Sequence, residues 1–556
     1  MKRKNDLQYY IFEKVYIFVA ICCIGLFFAY TIKWAWCSDD AYHAYVMSKN
    51  FLDGYGFTPT VGKRVNVSTC PLWTIVVTFF LWIFKDEYYV GIVLNLLFSW
   101  ISFVILMFVI YRGKTLSTMN STVIGRDTLK NETSIGVFVK KTILSILVTC
   151  IVCLSKSFVS YTTSGLENSQ LYLLTTIFLV YYFAVCEKNK RLSDRQIFVL
   201  ALIEGAIIFT RMDAGLLFLP LCIFAGINCF SDTIKEYIFR CLKRLCMAVL
   251  GILPFIIWEF FSVFYYGSFV PNTALAKLNT GFPKQQYYER GIAYYFVSFE
   301  WDCLVILLPV LFVFISFFVF LKNRVSIRYI HWPLLGIGIL LYMLYIVSIG
   351  GDFMKGRHFT VIFWVALVSI SYLLLYVVNE EIKINVVVMT MMLIATTYAL
   401  MIKGKVIDNP MKYYTQNIKW VYTDEREVYF PYTGLRNVFT NGKDLIWECQ
   451  HKGIKWYHGE NWYEEILYDP LLSRLPADSN NNEWMVGHMT RDFPDGYQET
   501  LETGINCIEN HSLHEYYDHI LTIISGDLFS TERIKEIINL NFGKYDYLIN
   551  DYLHAN

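Results

Sequence analysis

The chain has 556 residues, of which 55% are hydrophobic and 18% aromatic, whereas only 17% are charged. This composition is typical of a polytopic membrane protein and not of a soluble multidomain enzyme. The net charge of +1 conceals an asymmetry, because residues 1–402 carry 34 Lys and Arg against 23 Asp and Glu, whereas residues 403–556 carry 14 against 24. The second part has no basic stripe, so we expect no nucleic-acid partner.

The first hydrophobic segment, residues 11–36, is long enough to cross a bilayer and follows the basic start Lys2-Arg3-Lys4. Basic residues beside a span favour the cytoplasmic side, so the amino-terminal end is predicted to lie inside. The segment is too long for a removable signal peptide and has no small-residue cleavage site. It is therefore predicted to remain as an anchor.

Hydrophobic segments predict eleven membrane helices, at 11–34, 88–111, 142–158, 169–186, 196–210, 214–229, 246–266, 303–321, 330–349, 359–378 and 384–402. The apolar segment 72–84 is only about a dozen residues long, which favours an interfacial helix over a span. With this assignment the basic loops all fall on one side, as the positive-inside rule requires. The predicted fold class is an all-α polytopic membrane domain, residues 1–402, with residues 403–556 outside.

The carboxyl-terminal part, residues 403–556, contains no span, many Gly, Pro and Asn turns and a predicted helix at 530–540. This mixed pattern predicts a folded extracytoplasmic α+β domain. Seven of the ten histidines lie in it, at 451, 458, 488, 511, 514, 519 and 554. Without a companion cysteine or an HExxH pattern, surface histidines are favoured over a zinc site.

Asp39 and Asp40 follow the first span, at the outer boundary between water and lipid in this topology. Paired carboxylates there suit the deprotonation of a hydroxyl beside a lipid-carried substrate. The alternative is helix capping, because Ser38-Asp39-Asp40 is also a good helix start with acids near its positive end. Cys37 and Cys70 flank this loop, and a disulfide between them is one option that the sequence leaves open.

Four further polar loops are predicted on the same outer side, around residues 163–168, 210–213, 265–277 and 350–358. Ionisable groups at this depth are costly unless they are paired or face a water-filled cavity, so their convergence favours a site. Four cations would suit a lipid-linked phosphate, and we predict that they bind it: Arg211, Lys277, Lys355 and Arg357. We predict that substrate is also contacted by His43, Arg64, Glu167, Asn272, Asp352 and His358.

Each of these side chains also has a simpler interpretation. Arg211 and Asp213 could neutralise one another, and Lys355 and Arg357 could reach towards lipid headgroups. Glu167 could cap the helix that follows it. The joint occurrence of the loops, and not any single motif, favours catalysis by the aspartate pair. Either carboxylate could be the base, and the other could orient the reacting hydroxyl or hold a divalent cation.

Short motifs recur in order along nearly the whole chain. In the first part they are Asp39-Asp40-Ala41-Tyr42, Gly54-Tyr55-Gly56, Pro71-Leu72-Trp73-Thr74, Thr163-Ser164-Gly165-Leu166-Glu167, Tyr265-Tyr266-Gly267, Pro271-Asn272-Thr273, Gly350-Gly351-Asp352-Phe353-Met354 and Gly356-Arg357. In the tail they are Asp469-Pro470-Leu471-Leu472, Arg474-Leu475-Pro476, Gly496-Tyr497, Glu502-Thr503-Gly504 and Gly526-Asp527-Leu528-Phe529-Ser530. The chain thereby resembles polytopic GT-C glycosyltransferases, and within them the mycobacterial terminal β-(1→2)-arabinofuranosyltransferases of cell-wall arabinan and their wider bacterial relatives.

This resemblance implies a polyprenyl-phosphate pentose donor, an acidic pair at the outer face as the catalytic element, and an extracytoplasmic cap near the acceptor. One stretch departs from the family. Where the family reads Gly-Glu-Arg-Val-Glu-Gly-Tyr-Thr-Asn, residues 62–70 place Lys63 and Asn66 at the two acidic positions. The identity of the acceptor, and with it the donor sugar, therefore stays open.

The predicted function is transfer of a sugar, arabinofuranose by the resemblance, from a polyprenyl phosphate to a glycan hydroxyl on the outer face of the bacterial cytoplasmic membrane. Two alternatives remain: a GT-C enzyme that uses a polyprenyl-phosphate hexose on a protein or lipid, and a non-enzymatic flippase or exporter of lipid-linked sugar. The last predicts ionisable residues at mid-membrane and internal symmetry, whereas the charges here cluster at one face.

Overall fold

The computed structural model describes residues 2–59, 64, 66–113, 134–188, 191–229, 233–271, 274, 284–322, 329–377, 392, 396, 422 and 424–441. This part of the chain is mostly helical and contains no strand. The helices in the first half are α1 Lys2–Lys33, α2 Ala41–Leu52, α3 Pro71–Phe84, α4 Glu87–Arg112, α5 Ser134–Leu154, α6 Lys156–Tyr161, α7 Asn168–Lys188, α8 Asp194–Thr210, α9 Leu219–Ile227 and α10 Ile234–Gly251. Those that follow are α11 Leu253–Tyr266, α12 Lys284–Trp301, α13 Leu304–Lys322, α14 His331–Ser348, α15 Phe359–Tyr372, α16 Glu425–Thr433 and α17 Leu435–Asn441.

Five helices in the described ranges are long and apolar enough to cross a membrane, within α1, α4, α7, α13 and α14. Helices α10 and α11 make a sixth if they count as one span, although they meet at an angle of 59°. The helical membrane class is supported, whereas the count of eleven spans stays a prediction. Apart from residues 392 and 396, the predicted span 384–402 lies outside the described residues, as do the tail motifs. The predicted α+β domain is described only at Tyr422 and residues 424–441.

Proline explains where two predicted spans are interrupted. The predicted span 214–229 is divided between a 3₁₀ turn, Met212–Leu217, and α9, which has Pro220 in its first turn. Pro254 lies in the first turn of α11, where the chain bends away from α10. Proline has no backbone N–H and clashes with the preceding helical turn, so it is favoured at the first turn of a new helix.

Helix α3 covers the segment predicted to lie at the membrane interface. It begins at Pro71 and ends at Phe84, and the next residue, Lys85, adopts a left-handed conformation with φ of 58°. At 1.5 Å per residue its 14 residues extend about 21 Å, which is shorter than the hydrocarbon core of a bilayer. Its length therefore agrees with the prediction that it does not span.

The core is built around α15, whose residues are all buried. Helix α15 packs against α7 and α13. The indole of Trp364 in α15 donates hydrogen bonds to the carbonyl oxygen of Tyr172 and to Oγ1 of Thr176, at 3.1 and 2.8 Å, and its ring stacks on Phe158 at 5.2 Å. Because α15 is central, the loop that precedes it lies in the middle of one end of the helix bundle.

The loop between α6 and α7 is fixed by hydrogen bonds to other elements. Asn95 of α4 accepts from the backbone N–H of Gly165 at 2.9 Å and donates to the carbonyl of Leu166 at 3.1 Å. The indole of Trp73 in α3 donates to the carbonyl of Gly165 at 3.0 Å. The backbone N–H of Ser38 donates to the carbonyl of Ser164 at 2.8 Å. These bonds place the start of α7 directly beside the loop that carries the aspartate pair.

Gly165 provides a test of this packing. Its φ is +80°, and a Cβ atom there would lie 2.5 Å from the hydroxyl of Tyr45 and 2.7 Å from Cβ of Ala41. We expect Gly165→Ala to lower the free energy of unfolding by about 2–4 kcal/mol, through backbone strain and overpacking together. Gly54 has a similar φ of +85° but nothing within 4 Å, so Gly54→Ala should cost only about 1 kcal/mol. If thermal melts in detergent show the same loss of stability for Gly165→Ala and Gly54→Ala, the packing argument is contradicted.

The segment around α16 and α17 packs against the loop that follows α1. The backbone N–H of Leu435 donates to the carbonyl of Ala35 at 2.8 Å, and the hydroxyl of Thr433 donates to the carbonyl of Cys37 at 2.6 Å. Cys37 and Cys70 are both free thiols, so the optional disulfide between them is not formed here. The segment after the predicted membrane domain is thus joined to the aspartate loop.

Candidate functional site

Two guanidinium groups share one buried carboxylate at the start of α7. Glu167 is 1% exposed, and its Oε1 accepts from Nη1 of Arg211 at 2.9 Å and from Nη2 of Arg357 at 3.2 Å. Burial alone would raise the pKa of Glu167, but Arg357 and Arg211 lower the pKa below its ordinary value. The carboxylate is therefore ionised, and it holds together residues from three loops that are far apart in sequence.

Arg211 is held by a second carboxylate as well. Its Nε and Nη2 donate to the two oxygens of Asp213, both at 3.0 Å, which is a bidentate geometry. The hydroxyl of Tyr342 in α14 donates to Asp213 at 3.2 Å. Arg211 and Asp213 thus form the pair that the simpler interpretation predicts, and Arg211 also belongs to the network around Glu167.

His358 lies between the two arginine-bearing loops. Its Nδ1 is 3.3 Å from Nη2 of Arg211, and its Nε2 is 3.6 Å from Oδ2 of Asp352. Because arginine can only donate, Nδ1 must carry no proton, which leaves the N–H on Nε2. Burial, followed by the charge of Arg211, lowers the pKa of His358 to about 4. The imidazole is therefore neutral at pH 7.

Arg357 connects this buried network to the aspartate pair. Its Nη1 lies 3.7 Å from Oδ2 of Asp40 and 3.7 Å from Oδ2 of Asp352. The Asp40 side chain is 31% exposed, so it lies between the buried ions and the protein surface. Asp40 is the residue before α2, but its side chain makes no capping hydrogen bond to that helix. Asp40 therefore occupies the N-cap position without capping α2 by a side-chain hydrogen bond.

Asp39 points to a different neighbour. Its Oδ2 accepts from the hydroxyl of Tyr429 in α16 at 2.8 Å, and its Oδ1 accepts from the backbone N–H of Asp40 at 2.7 Å and from the hydroxyl of Ser38 at 3.2 Å. Tyr429 lies 390 residues beyond Asp39 in the chain. The two adjacent aspartates therefore have separate environments, one towards α16 and one towards Arg357.

The remaining predicted site residues lie in other places. Lys355 is buried, and its strongest charged neighbours are Asp424 and Glu427 beside and within α16; burial lowers its pKa. His43 is exposed on α2, and Arg64 lies over the ring of Tyr265 at 5.3 Å. Two predicted residues, Asn272 and Lys277, lie outside the described residues.

Several buried polar atoms around the network make no hydrogen bond among the residues that the structure describes. They are Thr163 Oγ1, Ser164 Oγ, Asn168 Oδ1, Ser169 Oγ and Arg357 Nε. Buried polar groups are normally paired, so water or a polar ligand is needed to satisfy such atoms. Their concentration beside Glu167 marks this end of the bundle as suited to a polar molecule.

Two contributing residues were not predicted from the sequence: Tyr342 and Tyr429. Tyr342 lies within a predicted span, where a tyrosine is not distinguished from the apolar residues around it. Within the described ranges, no group of three or more His, Cys, Asp and Glu side chains is arranged to hold a metal ion. The divalent cation stays a hypothesis from the sequence.

No family model, no curated protein and no solved structure matches the chain. The class is therefore defined by the geometry. The protein has several helices of membrane-spanning length and composition, and loops at one end of them bring carboxylates and guanidinium groups into a largely buried network.

Proposed function

We propose that the protein is a membrane glycosyltransferase of the GT-C type, which transfers a sugar from a polyprenyl phosphate to a hydroxyl of a glycan acceptor. The contact between Asp40 and Arg357 carries this proposal, because it joins a partly exposed carboxylate to a buried guanidinium group at the ends of apolar helices. Arabinofuranose is the proposed sugar on the ground of the motif order. The proposed location is the outer face of the bacterial cytoplasmic membrane, with the carboxyl-terminal part on the same side.

The proposed reaction needs a base and a group that offsets charge on the phosphate. The acceptor hydroxyl gives its proton to a carboxylate of the aspartate pair while its oxygen bonds to the anomeric carbon. The bond from that carbon to the phosphate oxygen breaks, and polyprenyl phosphate leaves with the electron pair. A partly exposed base suits this role, since a glycan acceptor arrives from water.

Arg357 is the proposed partner of the donor phosphate. Its Nε is buried and makes no hydrogen bond within the described residues, so this N–H can donate to a phosphate oxygen. Glu167 holds Nη2 of the guanidinium group in place, and Nη1 lies 3.7 Å from both Asp40 and Asp352. A hydrogen-bond donor that is fixed before the reaction stabilises the charge that develops on the phosphate without having to reorganise. This is how such groups accelerate a reaction.

We propose that Arg211 holds the network around Glu167 in position and does not bind phosphate directly. Its guanidinium group is already committed to Asp213 and Glu167. Lys355 is proposed to act on the segment that contains α16, since Asp424 and Glu427 are its main charged neighbours. Of the three predicted cations that the structure describes, Arg357 is therefore the one proposed to contact the donor phosphate, and Lys277 stays a prediction from the sequence.

The protein in lipid nanodiscs, supplied with radiolabelled polyprenyl-phosphate arabinose or mannose, tests the proposal. We expect label to move from the arabinose donor to a glycan acceptor. Transfer from the mannose donor alone would contradict the pentose assignment and favour the hexose enzyme. Movement of labelled lipid across proteoliposome membranes without transfer would contradict the enzymatic proposal and favour a flippase.

A further inference from the structure

The chain between α1 and α2, residues 35–39, lies between two other parts of the fold. On one side, the indole of Trp36 donates a hydrogen bond to the carbonyl of Ser160 in α6 at 2.8 Å. The backbone N–H of Ser38 donates to the carbonyl of Ser164, also at 2.8 Å. On the other side are α16 and α17, which come much later in the chain. The residues that lead into the aspartate pair are therefore held from both sides before α2 begins.

Helix α16 contacts these residues through one of its faces. The hydroxyl of Thr433 donates to the carbonyl of Cys37 at 2.6 Å and accepts from the backbone N–H of Cys37 at 3.3 Å. Four residues earlier on the same face, the hydroxyl of Tyr429 donates to Oδ2 of Asp39 at 2.8 Å. The ring of Tyr429 is parallel to that of Trp36, with their centres 6.5 Å apart. One helix thus holds both the backbone at Cys37 and the carboxylate of Asp39.

The position of α16 is itself fixed at both ends. The indole of Trp301 donates to Asp424, the residue before the helix, at 3.1 Å. At the other end the carbonyl of Thr433 accepts from the hydroxyl of Tyr88 at 2.9 Å. Tyr429 is only 9% exposed, so its ring is packed in place. A hydroxyl on a packed ring of an anchored helix is a precise hydrogen-bond donor, because its support does not move.

The carboxylate of Asp39 connects α16 to the backbone of Asp40. Its Oδ2 accepts from Tyr429, and its Oδ1 accepts from the backbone N–H of Asp40 at 2.7 Å. The two oxygens belong to one planar group, so a bond that fixes one of them also orients the other. The side chain of Asp40 in turn lies 3.7 Å from Nη1 of Arg357. A continuous series of contacts therefore leads from Tyr429 through Asp39 to the carboxylate beside Arg357.

We propose that Tyr429 is a positioning residue, whose hydroxyl fixes the carboxylate of Asp39 and through it the backbone at Asp40, so that the Asp40 side chain stays beside Arg357. The segment that follows the predicted membrane domain thereby completes the site. The effect of Tyr429 on turnover rests on the proposed glycosyl transfer. The hold of α16 on Asp39 does not, because the hydrogen bonds of the structure carry it.

Tyr429→Phe tests the inference, because it removes the hydroxyl and keeps the ring. We expect kcat to fall about tenfold, as for one lost hydrogen bond to a charged group. The donor KM should stay unchanged, since Arg357 and not Asp39 is the proposed phosphate ligand. The matched control is Tyr432→Phe on the same helix, at a partly buried ring whose hydroxyl makes no hydrogen bond among the described residues. Unchanged kcat in Tyr429→Phe, or an equal loss in Tyr432→Phe, would overturn the positioning role.

A double-mutant cycle with Asp39→Ala separates positioning through Asp39 from a merely structural role. If Tyr429 acts through Asp39, adding Tyr429→Phe to Asp39→Ala should change kcat by no more than about twofold, because the hydroxyl has already lost its acceptor. Independent effects would instead multiply, and the double variant would lose about another tenfold. That further loss would contradict the proposed route through Asp39.

Thermal unfolding of the same four proteins in detergent tests the hold on Asp39 without any assay of transfer. Tyr429→Phe should lower Tm in the wild-type background and leave it unchanged in the Asp39→Ala background. If the melts show this difference although no sugar is transferred, the hold of α16 on Asp39 stands and the glycosyltransferase proposal fails. If Tyr429→Phe shifts Tm equally in both backgrounds, the inference is overturned whatever the activity.

Discussion

Asp40→Asn is expected to lower the kcat of sugar transfer by about 10²- to 10⁴-fold, the range that a general base contributes. The amide cannot accept the proton of the acceptor hydroxyl, although it has nearly the same shape as the carboxylate. The donor KM should not rise, because the substitution removes a negative charge 3.7 Å from Arg357. Initial rates in nanodiscs at saturating acceptor measure both quantities.

A matched control for this result is Asp53→Asn, at an exposed position just after α2 in the same predicted loop. It should retain wild-type kcat with unchanged expression. Asp39→Asn should also reduce turnover sharply, but less than Asp40→Asn, because Asp39 already accepts hydrogen bonds from Tyr429, Ser38 and the backbone of Asp40. Asp40, in contrast, is partly open to solvent beside Arg357 and is better placed to act as the base. Near-normal transfer by both Asp39→Asn and Asp40→Asn would contradict a catalytic role of the pair.

Glu167→Gln is expected to lower the free energy of unfolding by about 3–5 kcal/mol, the cost of breaking a buried ion pair from one side. The substitution leaves Arg211 and Arg357 close together without the charge that they share. The control is Glu236→Gln, which removes the exposed i,i+4 pair with Arg240 and should cost at most about 1 kcal/mol. Denaturant or thermal unfolding in detergent compares the two variants.

The difference in the free energy of unfolding between the wild-type protein and Glu167→Gln should also depend on pH. The pKa of Glu167 is lowered in the folded protein. Its contribution to the free energy of unfolding is therefore fully present above the ordinary pKa range of a carboxyl group, and it is lost as the pH falls through the lowered pKa. The gap between the wild-type protein and Glu167→Gln should therefore narrow in acid. A gap that is the same at neutral and acidic pH would show that Glu167 is not held as a carboxylate.

The meeting of the polar loops could be predicted from the sequence because spans and basic loops alternate regularly. Glu167 precedes α7, Arg211 follows α8 and Arg357 precedes α15, so the alternation puts all three at the same end of the helices. The individual partners could not be predicted. Lys355 and Arg357 are two residues apart and have the same charge, but Gly356 between them has a φ of +72°, and the chain directs Arg357 to Glu167 and Lys355 towards α16.

The role of α16 had no signal in the sequence. Composition predicts that the whole tail forms a separate acidic domain, and nothing in the sequence distinguishes Tyr429 from the other tyrosines of the chain. The contact of Tyr429 with Asp39 depends on packing between segments nearly 400 residues apart, which local patterns do not encode. By contrast, the interruptions at Pro220 and Pro254 follow from the chemistry of proline alone.

The most direct test of the central claim is a density map of the protein with a non-reactive polyprenyl-phosphate sugar bound. The account predicts a phosphate oxygen within hydrogen-bond distance of Arg357 Nε, about 2.7–2.9 Å, with the anomeric carbon on the side of Asp40. A phosphate bound at the opposite ends of the helices, among the basic loops and out of reach of Arg357, would contradict it.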